Sequence, residues 1–187
     1  MKPGTKYRQF IDKEGVTVIL RAMRWEDLDD LLEIIKGLID ERDENPNLGI
    51  IMDQKQTRDS EAQFISSTLQ GIENGSVINV LAEVQGKAIA NSEVMRGKSS
   101  DVYHHGKLGI AISKIFRNKG IGREMIKTLI EENRKAGRST PELEVFADNS
   151  NAIYLYESLG FIKVGTIRKK VLRKDVFHDI IVMSMVL

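Results

Sequence analysis

The chain has 187 residues, 41% of them apolar and 29% charged, a balance typical of one folded domain covering 1–187 rather than of a disordered or membrane protein. Its 28 basic and 27 acidic side chains nearly cancel, so no global charge favours nucleic acid or an anionic membrane as a partner. The absence of cysteine excludes disulfides, thiolate zinc sites and a cysteine nucleophile, and with only three histidines we expect no metal.

The amino end carries no apolar secretory core, and we therefore expect a cytoplasmic protein. Alternating or β-branched apolar runs between turn signals predict strands, and apolar residues at helical spacing predict helices. In chain order, the predicted elements are strand 16–23, helices 25–39 and 59–73, strands 77–84, 87–95 and 108–116, helix 120–136, strand 143–147, helix 150–159, and strands 161–167 and 176–186. Residues 41–58 show no clear period and predict a loop or a broken helix.

A basic turn with two glycines joins the strand 108–116 to the next helix. Its residues are Arg117, Asn118, Lys119, Gly120, Ile121, Gly122 and Arg123. Three cations at this place are unfavourable for an isolated helix, whose amino end carries partial positive charge. A bound polyphosphate would reverse this, because free amides and cations would converge on it while the glycines allow close approach. The alternative is a solvated basic turn whose glycines serve only its geometry.

Two segments resemble the GNAT superfamily of N-acetyltransferases. The turn is similar to that family's acetyl-CoA signature, Arg-x-x-Gly-x-Gly, and 149–161 is similar to its second element, N-x-x-A-x-x-L-Y-x-x-x-G-F, at every fixed position. Together they cover roughly the carboxyl-terminal half in the family's order, and the second resembles ribosomal-protein alanine N-acetyltransferases. The resemblance implies an α/β (α+β) fold with a mixed, mostly antiparallel sheet of six to seven strands flanked by four helices.

The resemblance also implies acetyl-CoA as cosubstrate and a place for it. In that family the amides of the turn hold the pyrophosphate. The main chain of the preceding strand, here Ile110, Ala111 and Ile112, pairs with the pantetheine arm like an added strand. Asn149 precedes a helix and is expected to cap it, and the family also places this residue against the cofactor arm. Both roles can hold together.

Acetyl transfer from a thioester needs a neutral amine, stabilisation of the developing oxyanion and a proton for the departing thiolate, without a covalent enzyme intermediate. The resemblance makes Tyr156 the general acid; the alternative is core packing. Glu144 lies on the strand face opposite its apolar neighbours, twelve residues before Tyr156. It is either a general base, as the resemblance implies, or a member of a structural ion pair. Glu93, inside a strand that leads toward the cleft, is a second candidate base.

The acceptor is less well defined by the sequence, and a protein N-terminus, a lysine and a small amine all remain open. The acidic residues Glu41, Asp43, Glu44 and Asp53 would attract a cationic amine or merely keep a loop soluble. A basic stretch at 168–174 suits an acidic peptide, or has no such role. A non-enzymatic module that binds acyl-CoA as a sensor is the alternative function. Apolar carboxyl-terminal strands also favour a homodimer.

Overall fold

The computed structural model describes residues 2–45 and 56–187, which form one sheet and four α-helices. The strands are β1 (Lys6–Ile11), β2 (Thr17–Arg21), β3 (Val77–Val84), β4 (Lys87–Arg96), β5 (His105–Ile112), β6 (Thr140–Phe146), β7 (Ile162–Arg173) and β8 (Val176–Ser184). The helices are α1 (Leu28–Glu44), α2 (Arg58–Glu73), α3 (Ile121–Lys135) and α4 (Ser150–Glu157). The spatial order is β1-β2-β3-β4-β5-β6-β8-β7, and all neighbours are antiparallel except the parallel pair β5 and β6.

The sheet therefore has eight strands, one more than the upper number expected from the sequence. The additional strand is β1, whose residues are exposed or half-buried and so lack a clear apolar alternation; pairing with β2 holds it in place. Strand β7 continues to Arg173 because its basic end pairs with β8. Strand β5 begins and ends earlier than expected, and Lys114–Phe116 form a short 3-10 turn. Glu41 and Glu44 belong to α1, whereas Asp53 lies outside the described residues.

Two helices cover each face of the sheet, and an apolar cluster lies between the helices and the sheet on each side. The larger cluster lies under α3 and α4 and contains the fully buried Met125 and Leu129. The smaller cluster lies under α1 and α2 and contains Leu31 and Ile65. Burial of each such side chain stabilises the fold by about 1.5–3 kcal/mol. This two-sided packing fixes the sheet on which the candidate site is built.

The sheet divides between β5 and β6, where pairing is limited to one end of the two strands. The paired residues are His105 with Thr140, Gly106 with Pro141, and Lys107 with Glu142. Beyond Lys107, β5 continues beside β4 alone, and beyond Glu142, β6 continues beside β8 alone. Within the described chain, residues 108–112 therefore have one edge with no strand partner. We call the gap between the two diverging strands the β5–β6 opening.

Candidate active site

The predicted anion-binding turn connects β5 to α3. Asn118 and Gly120 adopt left-handed backbone conformations with φ of 63° and 91°, and α3 begins at Ile121. In the described ranges, the backbone amides of residues 118–123 donate to no acceptor. These free N–H groups stand at the positive end of a fifteen-residue helix. The turn therefore has the donors that a phosphate group needs.

Gly122 lets α3 approach β5 closely. A Cβ atom at this position would lie 3.0 Å from Ile112 Cδ1 and 3.7 Å from Leu155 Cδ2. The same contacts place α4, which carries Leu155, beside the unpaired part of β5. Ile110 and Ile112 pack toward α3, whereas Ala111 packs toward α1. Main-chain groups of these three residues thus border the β5–β6 opening.

Arg117, Lys119 and Arg123, the three cations of the turn, each contact an oxygen of another residue. The Arg117 guanidinium donates to both carboxylate oxygens of Glu41 at 2.7 Å, and its Nε donates to the Ile112 carbonyl at 2.9 Å. Lys119 forms a 2.6 Å ion pair with Glu14, and Arg123 donates to Ser158 Oγ at 2.8 Å. Arg117 thereby ties the end of α1 to the turn, which no local sequence pattern indicates.

Lys13 is a fourth cation at this turn, and the sequence analysis missed it. Its amide donates to the Lys119 carbonyl at 3.1 Å, and its side chain lies against Gly120. Lys13 belongs to the β1–β2 connection, more than 100 positions from the turn along the chain. Only the tertiary fold brings them together.

Glu93 on β4 and Glu144 on β6 lie on either side of the β5–β6 opening. Both are on the same face of the sheet, the one that α1 and α2 pack against. Glu93 lies opposite Gly109 in the β4–β5 register. Gly109 is two residues beyond Lys107, the last β5 residue that pairs with β6. Glu144 is two residues beyond Glu142 on β6 and so points to the same face. Among the described residues, no atom lies within 4 Å of the position a Cβ on Gly109 would occupy. Space is therefore open over Gly109, the residue opposite Glu93 in the register.

The two carboxylates differ in their electrostatic surroundings. Burial opposes ionisation of Glu144, but hydrogen bonds from Lys170 at 2.5 Å and Lys107 at 2.9 Å outweigh it and lower the pKa of its carboxyl. Glu93 keeps some exposure as a residue, yet its Oε2 is shielded from solvent and has no hydrogen-bond partner in the described chain. Burial raises the pKa of Glu93 from 4.5 to about 7. Near neutral pH, Glu93 is thus poised to exchange a proton, whereas Glu144 stays ionised.

Tyr156 lies on the face of the sheet opposite to Glu93, in the larger apolar cluster. It lies on α4, is 7% exposed, and meets the Phe161 ring edge to face at 5.9 Å between centroids. Burial raises the pKa of Tyr156 to about 12, so the phenol keeps its proton at neutral pH. The ring contributes to the core, and its hydroxyl forms no hydrogen bond within the described chain. Asn149 caps α4, accepting from the Ala152 amide at 3.2 Å.

Residues 2–45 and 56–187 show neither a metal site nor a membrane span. They contain no cluster of three or more histidine, aspartate or glutamate side chains arranged to hold a metal ion. None of the helices in these ranges is long and apolar enough to cross a membrane.

The chain is similar in sequence to known acetyltransferases. Residues 41–161 match the Acetyltransferase (GNAT) family model. The [Ribosomal protein bS18]-alanine N-acetyltransferase of Escherichia coli K12 is 40% identical over 76 residues, 41% of this chain and 51% of that protein. The chain thus matches about half the length of this curated relative.

Solved structures share the fold. A ribosomal-protein-alanine N-acetyltransferase from Brucella melitensis superposes with a TM-score of 0.78 at 23% identity, covering 90% of this chain and 99% of that one. A protein of Salmonella typhimurium solved with its cofactor acetyl-CoA gives 0.79 at 18% identity, covering 91% and 94%. The mixed, mostly antiparallel fold with four helices, expected from the sequence, is confirmed.

Proposed function

This chain belongs to the GNAT family of acetyltransferases, and we propose that it moves the acetyl group of acetyl-CoA directly to a primary amine, without a covalent enzyme intermediate. One arrangement carries the proposal: an anion-binding turn, an unpaired strand edge and two carboxylates lie in sequence along the β5–β6 opening. Acetyl-CoA supplies the activated acetyl group as a thioester. The protein's residues bind it, orient the amine and move two protons.

The chain has donors suited to both ends of this cosubstrate. The free amides of residues 118–123 would hold the pyrophosphate, and the open edge of β5 at Ile110–Ile112 would pair with the amide-bearing arm. From Ile112 to Gly109 the strand rises about 10 Å, which leads from the turn to the space between the carboxylates. The turn and the edge of β5 therefore fit acetyl-CoA.

We assign the base role to Glu93 rather than to Glu144, which the sequence ranked first. A general base works best when its pKa lies near the working pH, and burial brings Glu93 to about 7. Both oxygens of Glu144 already accept hydrogen bonds from lysines, which makes it the weaker base. Glu144 instead holds Lys107 and Lys170 beside the opening. The Glu93 carboxylate would take the proton, and its Oε2, shielded and without a partner in the described chain, disfavours the charged form and so keeps the pKa near neutrality.

Tyr156 would donate from its Oη to the departing sulfur. Its pKa of about 12 lies above the ordinary thiol value near 8.5, so complete proton transfer is uphill. A hydrogen bond that strengthens as negative charge develops avoids this difficulty. Because Tyr156 and Glu93 lie on opposite faces of the sheet, the hydrogen bond from Tyr156 and the proton transfer to Glu93 need not compete for one space.

The base favours a protein N-terminus as acceptor. An α-amine titrates near 7.7–8.0, which Glu93 at about 7 almost matches, whereas a lysine side chain near 10.4 demands a much stronger base. The curated relative is named for a ribosomal protein's alanine, which makes peptides with amino-terminal alanine the first to test. Small amines of comparable pKa are the second class.

The test combines calorimetric titration with acetyl-CoA and a thiol-release assay, on one preparation, over peptides with different first residues and a set of small amines. We expect binding and release with one acceptor class, α-amines before lysine side chains. Binding without release from any acceptor would favour the acyl-CoA sensor instead. No binding would overturn the proposal.

Gly122→Glu provides the matched inactive variant. Its side chain would begin 3.0 Å from Ile112 Cδ1 and bring a negative charge to the anion-binding turn. We expect the affinity for acetyl-CoA to fall at least 100-fold, with a cooperative thermal transition showing that the variant remains folded. An unchanged affinity in this variant would reject the turn as the pyrophosphate site.

A further inference from the structure

The β1–β2 connection lies directly against the anion-binding turn. The Lys13 amide donates to the Lys119 carbonyl at 3.1 Å, and Glu14 forms an ion pair with Lys119 at 2.6 Å. This connection precedes the region 41–161 that matches the family model. A segment outside that match therefore borders the candidate cofactor site.

Asp12 fixes the conformation of this connection. Its Oδ1 accepts from the amides of Glu14 and Val16, each at 2.9 Å, and its own amide donates to the Val16 carbonyl at 2.9 Å. Gly15, with φ of 83°, closes the turn through a hydrogen bond to the Asp12 carbonyl. A turn held this firmly presents Lys13 in one place and reduces the entropy lost when a ligand binds.

The side chain of Lys13 runs along Gly120, at the start of α3. Its Cε and Cγ lie 3.9 Å and 4.0 Å from the position a Cβ on Gly120 would occupy. The ammonium group, one bond beyond Cε, therefore lies near Gly120 at the start of α3. In the described ranges, Lys13 has no ion pair, whereas Arg117, Lys119 and Arg123 are each engaged by a protein oxygen.

We infer that Lys13 is a cofactor-binding residue, whose ammonium contacts the diphosphate of acyl-CoA beside the amides of the turn. The inference rests on the proposed function and adds to it a residue that the family's motif does not contain. A compact ammonium on a flexible stem is well suited to phosphate oxygens. The Lys13 ammonium can also bind a phosphate without breaking an ion pair, whereas Arg117 and Lys119 already pair with carboxylates.

The experiment compares Lys13→Ala with Lys6→Ala by calorimetric titration. Lys6 is an exposed lysine seven positions earlier, at the far end of β1, so the control removes the same charge from the same hairpin. We expect Lys13→Ala to weaken acetyl-CoA binding about five- to tenfold, the scale of one charge-assisted contact at the surface. Lys6→Ala should stay within about twofold. Lys13→Arg should retain most of the affinity.

A second ligand, acetyl-dephospho-CoA, identifies the phosphate. It lacks the 3′-phosphate but keeps the diphosphate, so the loss in Lys13→Ala should be equal for both ligands. A loss seen with acetyl-CoA alone would move Lys13 to the 3′-phosphate and overturn the assignment. Unchanged affinity in Lys13→Ala, with the unmodified protein binding normally, would remove Lys13 and leave the proposed function intact. Absence of binding by the unmodified protein would overturn both.

Discussion

Replacing Glu93 by glutamine removes the proposed base and a buried ionisable group in one step. A general base contributes about 10²- to 10⁴-fold, so kcat should fall by that factor with little change in acetyl-CoA affinity. Raising the pKa of Glu93 from 4.5 to about 7 corresponds to about 3 kcal/mol at 1.36 kcal/mol per pH unit. This is an upper limit to what the buried charge costs the folded protein above pH 7.

The sign of the stability effect follows from the raised pKa. The folded protein binds the Glu93 proton more tightly than the unfolded chain, so this contribution is fully present below pH 4.5 and is lost as the pH rises to about 7. Glu93→Gln, which cannot ionise, should match the unmodified protein at pH 4.5 and exceed its stability at pH 8 by up to about 3 kcal/mol. Urea unfolding at the two pH values measures the difference. Glu73→Gln, which makes the same substitution at the exposed end of α2, is the matched control.

The pH–rate profile tests the same group in catalysis. Below pH 7, both Glu93 and an α-amine acceptor must lose a proton, so log(kcat/KM) should rise with a slope near two. In Glu93→Gln only the acceptor titrates, and the slope should fall to about one. Glu144→Gln should retain a slope near two. A variant of Glu93 with full activity and an unaltered profile would refute the assignment, and loss of the steep limb in Glu144→Gln instead would return the base role to that residue.

The remaining predictions concern the acid and the outer edge of the sheet. Tyr156→Phe should lower kcat about 10²- to 10⁴-fold while acetyl-CoA affinity measured by calorimetry stays within about threefold; full activity would make the phenol a packing residue. Tyr154→Phe, on the exposed side of α4, is its control and should behave as the unmodified protein. Strand β7 forms an edge of the sheet and exposes Ile162 and Val164, which are 67% and 65% accessible, so we expect two copies to pair along it. Light scattering should report a dimer that Val164→Lys converts to a monomer, and a monomeric unmodified protein would contradict this expectation.

Features that depend on residues close together in the chain were predictable. The turn from Arg117 to Arg123 concentrates glycines and cations within seven positions, and 149–161 carries its motif within thirteen. The turn dipeptide Gln85-Gly86 between two β-like runs likewise predicted the hairpin of β3 and β4. Strand β1 was missed because its side chains stay partly exposed, and its stability comes from β2 rather than from its own pattern.

The sequence by itself determined the family and the mixed fold, and it located the glycine-rich basic turn, because those depend on local spacing and backbone preference. It also supplied both candidate bases but ranked them without their environments. Only the tertiary structure distinguishes the environments of Glu93 and Glu144, on which our choice of base rests, since the lysines that hold Glu144 lie 37 and 26 residues away and Glu93 is shielded by the fold. The tertiary structure likewise places Lys13 beside the turn. Charge, burial and pKa at a site arise from neighbours in space, which the order of residues along the chain does not reveal.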